Sequence, residues 1–154
     1  MRVVYLTREI AMAHMTFDFE ISERPSGVVS GRFWSTSGPE NRSALERIYG
    51  CRTVQDSVPY WAWVCRVAAP PVNWRSVLAT LDRIGVMAPP PPDSLPLNVC
   101  NDGVPWTLVV RRPALGDSVM TEQSCVVYGE RRATFERRID SVITAVQRQV
   151  ARTP

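Results

Sequence analysis

The stretch that decides the fold is MTFDFEI, from Met15 to Ile21. Its apolar residues occupy every second position, and polar residues occupy the positions between them. This alternation predicts a strand with one buried face and one polar face. A turn containing Pro25 and Gly27 follows, and residues 28–35 form a second predicted strand. The two segments are therefore expected to pair as a hairpin.

Two segments further along the chain have the apolar spacing of helices. The first begins after Asn73, a good N-cap residue, and ends at Gly85. The second covers residues 133–151 and carries one apolar stripe. A shorter helix is predicted over residues 43–49. The apolar positions of the two main helices are Trp74, Val77, Leu78, Leu81 and Ile84, and Phe135, Ile139, Val142, Ile143, Val146 and Val150.

Three more segments are predicted to be strands, over residues 60–69, 104–112 and 118–128. The resulting order predicts an α+β fold, an antiparallel β-sheet with two main helices packed on one face. The length of 154 residues fits a single domain, residues 1–154. Residues 1–13 are assigned no element and are treated as an uncertain N-terminal extension.

The four cysteines form two loose pairs, 14 and 25 residues apart. An even number at such separations favours two disulfides, and we expect Cys51 to pair with Cys65 and Cys100 with Cys125. Four cysteines allow three pairings, and four free thiols in a cytosolic protein are the main alternative. A zinc site is disfavoured because no two cysteines have the close spacing of zinc ligands.

Disulfides predict an extracytoplasmic location, either periplasmic or secreted. The N-terminus does not supply a convincing signal peptide, because Arg8 and Glu9 interrupt the segment that should be uncharged. No apolar run reaches about 18 residues, so we expect no transmembrane segment.

The sequence offers little for catalysis. Its single histidine, His14, lies at the edge of a strand, where a surface role is the simpler interpretation. Asp102 lies in an Asn-Asp-Gly turn, which explains it without chemistry. No paired-carboxylate, phosphate-loop or HExxH motif is present. We therefore predict no enzymatic activity, no catalytic residues, no metal and no cofactor.

All 18 basic residues are arginines, and several lie on the last predicted helix. Acidic residues are interspersed among them, as on an ordinary solvated helix face. We therefore do not expect nucleic acid to be the partner. These arginines are Arg131, Arg132, Arg137, Arg138 and Arg148.

Two apolar features are predicted to be exposed. Trp34 lies in the first hairpin, and four consecutive prolines precede the last pair of strands. Exposed aromatic residues and rigid polyproline segments both suit docking to another protein. The alternative is that both pack on their own domain. The predicted partner-binding residues are Trp34, Pro89, Pro90, Pro91 and Pro92.

Residues 60–150 resemble a diffuse group of uncharacterised exported proteins of GC-rich bacteria, many of them lipoprotein-like. The resemblance lies in residues 74–78, Leu81-Asp82, Gly85 and the proline-rich segment. It continues through Cys100 to Gly103, Trp106 to Leu108, Cys125 and the closing helix. It implies a small α+β envelope domain with Cys100 and Cys125 bridged. The N-terminus departs from the group, since it lacks their signal sequence.

Three functions follow as hypotheses. The first is a non-enzymatic extracytoplasmic protein that binds another protein, as an accessory or structural subunit of a larger envelope assembly. The second is a small-ligand-binding domain with a pocket between the sheet and the helices. The third is a cytosolic module that uses its arginines to bind nucleic acid or protein.

Overall fold

A computed structural model describes residues 1–10, 15–55, 62–86, 105–112, 116–123 and 130–151 of the chain. Its strands are β1 (Arg2–Ile10), β2 (Met15–Glu23), β3 (Val29–Ser37), β4 (Thr53–Gln55), β5 (Trp63–Val67), β6 (Pro105–Arg112) and β7 (Gly116–Gln123). Its helices are α1 (Arg42–Tyr49), α2 (Trp74–Ile84) and α3 (Glu130–Val150), with a short 3-10 turn at Pro39–Asn41.

The strands form one seven-stranded sheet in the order β4-β5-β3-β2-β1-β6-β7. Every neighbouring pair is antiparallel. The predicted hairpin of β2 and β3 is confirmed, with Phe19 opposite Phe33. The α+β class and the antiparallel sheet are therefore as the sequence predicted.

One face of the sheet packs against the helices. Leu6, Phe19 and Phe33 lie at its centre, and they belong to the same buried cluster as the apolar positions of all three helices. Ring contacts join the layers, since Phe19 lies 5.9 Å from Trp74 of α2 and Phe33 lies 5.1 Å from Tyr49 of α1, measured between centroids. We call this side of the sheet the helix face.

The helix ends follow the predicted capping signals. The Asn73 side chain accepts a hydrogen bond from the Ser76 backbone N–H at 3.1 Å, and α2 ends at Gly85 with φ 89°. Gly50 ends α1 in the same left-handed region, with φ 60°. The predicted apolar stripe of α3 is buried along its length.

Strand β1 lies near the middle of the sheet, between β2 and β6. The sequence predicts no element for this segment, whose apolar run is considered only as a possible signal peptide. The structure shows how the charges at its two ends are accommodated. Arg2 contacts Asp82 of α2 at 2.8 Å, and Arg8 contacts Asp140 of α3 at 3.4 Å. Both arginines keep their charged heads at the edge of the core while their stems cover apolar surface.

The predicted bridge between Cys51 and Cys65 is present, with a Cα–Cα distance of 5.7 Å. It ties the segment after α1 to the helix face of β5. Cys100 and Cys125 lie outside the described residues, so their pairing stays a prediction. The short edge strand β4 was not predicted, because three residues are too few to show a period.

Candidate functional site

The second side of the sheet differs from the helix face in composition and in cover. No described helix packs against it. Its central residues come from the polar positions of β2 and from the neighbouring strands β1 and β3. We call this side the polar face, and its central residues are Tyr5, Thr16, Asp18, Glu20, Arg32 and Trp34.

Two aromatic rings dominate the centre of the polar face. Tyr5 of β1 and Trp34 of β3 reach over the intervening strand β2 and stack, with centroids 5.8 Å apart and planes 17° apart. Both side chains are half-buried. Stacked aromatic pairs add stability beyond the area they bury, so each ring holds the other in place.

Asp18 lies beneath this pair and is 4% exposed. Its carboxylate accepts a hydrogen bond from the Tyr5 hydroxyl at 2.5 Å and another from the Thr16 hydroxyl at 2.7 Å. A buried carboxylate without such donors would be costly, and here both oxygens are engaged. Asp18 therefore fixes the position of the aromatic pair from below.

This arrangement shifts the pKa of the Tyr5 hydroxyl. Burial raises the pKa of Tyr5 well above its usual range, and the nearby Asp18 charge raises it further. Tyr5 therefore stays protonated and continues to donate its hydrogen bond into the alkaline range.

An ion pair borders the aromatic pair. Arg32 donates a hydrogen bond to Glu20 at 2.7 Å, and its guanidinium carbon lies 5.9 Å from the centroid of the Trp34 ring. The Arg32 side chain is 71% exposed, so this charge is presented to the surroundings. The centre of the polar face thus combines half-buried rings, the exposed cation of Arg32 and a buried network whose carboxylate is fully hydrogen-bonded.

Of the predicted partner-binding residues, Trp34 is the one that the structure describes, and it lies at this place. Trp34 is half-buried and stacked on Tyr5, rather than fully exposed. Pro89, Pro90, Pro91 and Pro92 lie outside the described residues, as do His14 and Asp102.

The sequence alone does not identify Tyr5, Asp18 and Arg32 as members of a site. The alternation of residues 15–21 does place Asp18 and Glu20 on the polar side of β2. Their aromatic neighbours come from two other strands, and only the sheet order brings these together.

The arginines of α3 are predicted to form an ordinary solvated helix face. Arg137 donates a hydrogen bond to Thr134 within the helix at 2.9 Å, and Arg138 and Arg148 are exposed. Within the described part of the chain no group of three or more metal-ligating side chains occurs. No described helix is long and apolar enough to cross a membrane.

A cavity of 760 Å³ lies where α1, the end of α3 and the segment after β5 meet. Arg52, Arg66 and Gln149 are its polar lining residues with long side chains. This cavity lies between the end of the sheet and the ends of two helices, where the second functional hypothesis places a ligand.

Comparisons with known proteins found no matching family model, no similar curated protein and no similar solved structure.

Proposed function

We propose that this chain is a non-enzymatic binding protein of the extracytoplasmic space, and that a partner protein contacts its polar face. The observation that carries this proposal is the Tyr5–Trp34 stack, which lies on the side of the sheet that no described helix covers. Tyrosine, tryptophan and arginine are the residues most enriched at the energetic centres of protein interfaces.

The polar face is also ordered before any partner arrives. Asp18 holds Tyr5 through a hydrogen bond, and Tyr5 holds Trp34 through stacking. A surface whose side chains are already fixed loses less conformational entropy on binding. This favours a docking platform, because the buried carboxylate is engaged with its neighbours rather than presented to a substrate.

The Cys51–Cys65 bridge supports the proposed location. Disulfides persist in secreted and periplasmic proteins and are rare in the reducing cytosol. An accessory subunit of an envelope assembly would lie in the oxidising environment outside the cytosol, where such a bridge persists.

Size-exclusion chromatography of an extract of the source organism tests this function. Wild-type protein should elute in a complex larger than the purified chain, and Trp34→Ala should shift it toward the size of the chain alone. Val28→Ala is the matched control, since Val28 is 52% exposed and lies outside the aromatic pair. Circular dichroism would confirm that both variants fold. Elution of wild-type protein at the size of the single chain would contradict the proposal.

A further inference from the structure

A pocket lies at the rim of the polar face, where two strands stop pairing. The register of β3 with β5 ends at the pair Phe33 and Val67. Strand β3 continues to Val29 with β2 on its other side, whereas the chain after Val67 leaves the sheet. The notch between them has a volume of 520 Å³, within the usual range for sites of small organic ligands.

The charges around this pocket are of one sign. Arg32 and Arg66 both line it, and none of its described lining residues is acidic. Arg32 shares its charge with Glu20, which lies outside the lining. Arg66 is exposed, and no described residue forms an ion pair with it. Two guanidinium groups at one small pocket favour an anion, since each offers a planar fork of donors.

One wall of the pocket is aromatic. Trp34 lies directly opposite Arg66 in the register of β3 and β5, and stacking on Tyr5 fixes the indole ring. A fixed indole beside two cations suits a planar group that bears a negative charge.

The far wall carries the only non-glycine residue of the described chain with a positive φ. This residue is Ala69, with φ 48°, and it lies next to Pro70 in the pocket lining. L-residues other than glycine rarely adopt this conformation, and such strained positions cluster at ligand sites.

We propose that this rim pocket binds a small molecule that joins a planar ring to an anionic group, either a phosphate or a carboxylate. The ring packs against Trp34, and the anion pairs with Arg66 and the free donors of Arg32. This site shares Trp34 and Arg32 with the proposed docking surface, but its residues all belong to this chain, so binding can be measured on the purified protein without a partner.

Isothermal titration of the purified protein tests this inference without any partner. Adenosine monophosphate and indole-3-acetate combine a ring with an anion, and they distinguish phosphate from carboxylate. Adenosine supplies a ring alone, and inorganic phosphate supplies an anion alone. We expect at least one combined probe to bind about ten-fold more tightly than either single-feature probe, since charge-assisted hydrogen bonds are the strong ones.

Arg66→Gln should weaken binding of that probe by about ten-fold, while Arg47→Gln should leave it unchanged. Arg47 is an exposed arginine of α1 outside the pocket lining, so it controls for net charge. Three results would overturn the site: no binding of either combined probe at millimolar concentration, adenosine binding as tightly as the monophosphate and the acetate, or equal effects of the two arginine variants.

Discussion

The two faces of this sheet are built from alternate residues of the same strands, yet they bury different kinds of side chain. On the helix face, Phe19 and its neighbours are covered by apolar residues of three helices. On the polar face, Asp18 is equally buried, but its cover is an aromatic pair and its burial is stabilised by hydrogen bonds. The helix face therefore supplies stability, while the polar face supplies an ordered surface.

The largest effect should come from the helix face. Phe19→Ala removes a side chain that is 2% exposed and that contacts Trp74, so it should lower the free energy of unfolding by about 3–5 kcal/mol. Urea denaturation followed by circular dichroism measures this change. Val28→Ala, at an exposed site, should change stability by less than about 0.5 kcal/mol. Equal losses in the two variants would remove the distinction between core and surface.

The disulfide on the helix face should have the next largest effect. Replacing Cys51 and Cys65 together by alanine releases a loop with a sequence separation of 14, which should cost about 2–4 kcal/mol. The same urea titration reports it. A double variant as stable as the wild-type protein would show that packing alone keeps the segment after α1 against β5.

The polar face should respond to loss of its buried acceptor. Asp18→Ala leaves the hydroxyls of Tyr5 and Thr16 without their partner and should cost about 1–3 kcal/mol. Glu20→Ala is the matched control, two residues along the same strand and on the same face. It removes a partly exposed ion pair and should cost no more than about 1 kcal/mol. Reversal of this order would contradict the role given to Asp18.

A smaller loss of stability is expected at alkaline pH, and each face contributes one buried tyrosine to it. Burial raises the pKa of Tyr49 on the helix face, and burial together with the Asp18 charge raises the pKa of Tyr5 on the polar face. In the unfolded chain both phenols titrate near a pKa of about 10. Above that pH the folded state binds more protons than the unfolded state, so stability is full below about pH 10 and falls as pH rises.

Urea unfolding at several pH values between about 8 and 11 measures how steeply the free energy of unfolding falls with pH, which we call the slope. Tyr5→Phe and Tyr49→Phe should each make the slope shallower. Burial is the largest cause of both shifts, so each tyrosine should contribute to the slope independently of the other. A slope that stays the same in both variants would assign the alkaline loss to other groups.

Much of the helix face could be predicted from the sequence, because its determinants are local. The alternation of residues 15–21, the Asn73 cap and the stripe of α3 each fix an element within a short window. Strand β1 was not predicted, and the acidic partners of its arginines come from other elements. Arg2 pairs with Glu23 of β2 and Asp82 of α2, and Arg8 pairs with Asp140 of α3.

The polar face could not be predicted for a related reason. Tyr5, Asp18 and Trp34 lie on three different strands, and the sheet order decides that they meet. Arg66 joins the rim pocket only because its position in β5 is opposite Trp34. A single sequence carries no local signal for such non-local pairing.

The most direct test of the polar face as the binding surface is site-specific photo-cross-linking in cells of the source organism. A benzoylphenylalanine would replace Arg32 on the polar face in one variant and Ala79, an exposed residue of α2, in another. The polar-face variant should yield one discrete cross-linked species, and the α2 variant should yield none. Cross-linking from Ala79 alone would contradict the assignment and place the partner on the helices instead.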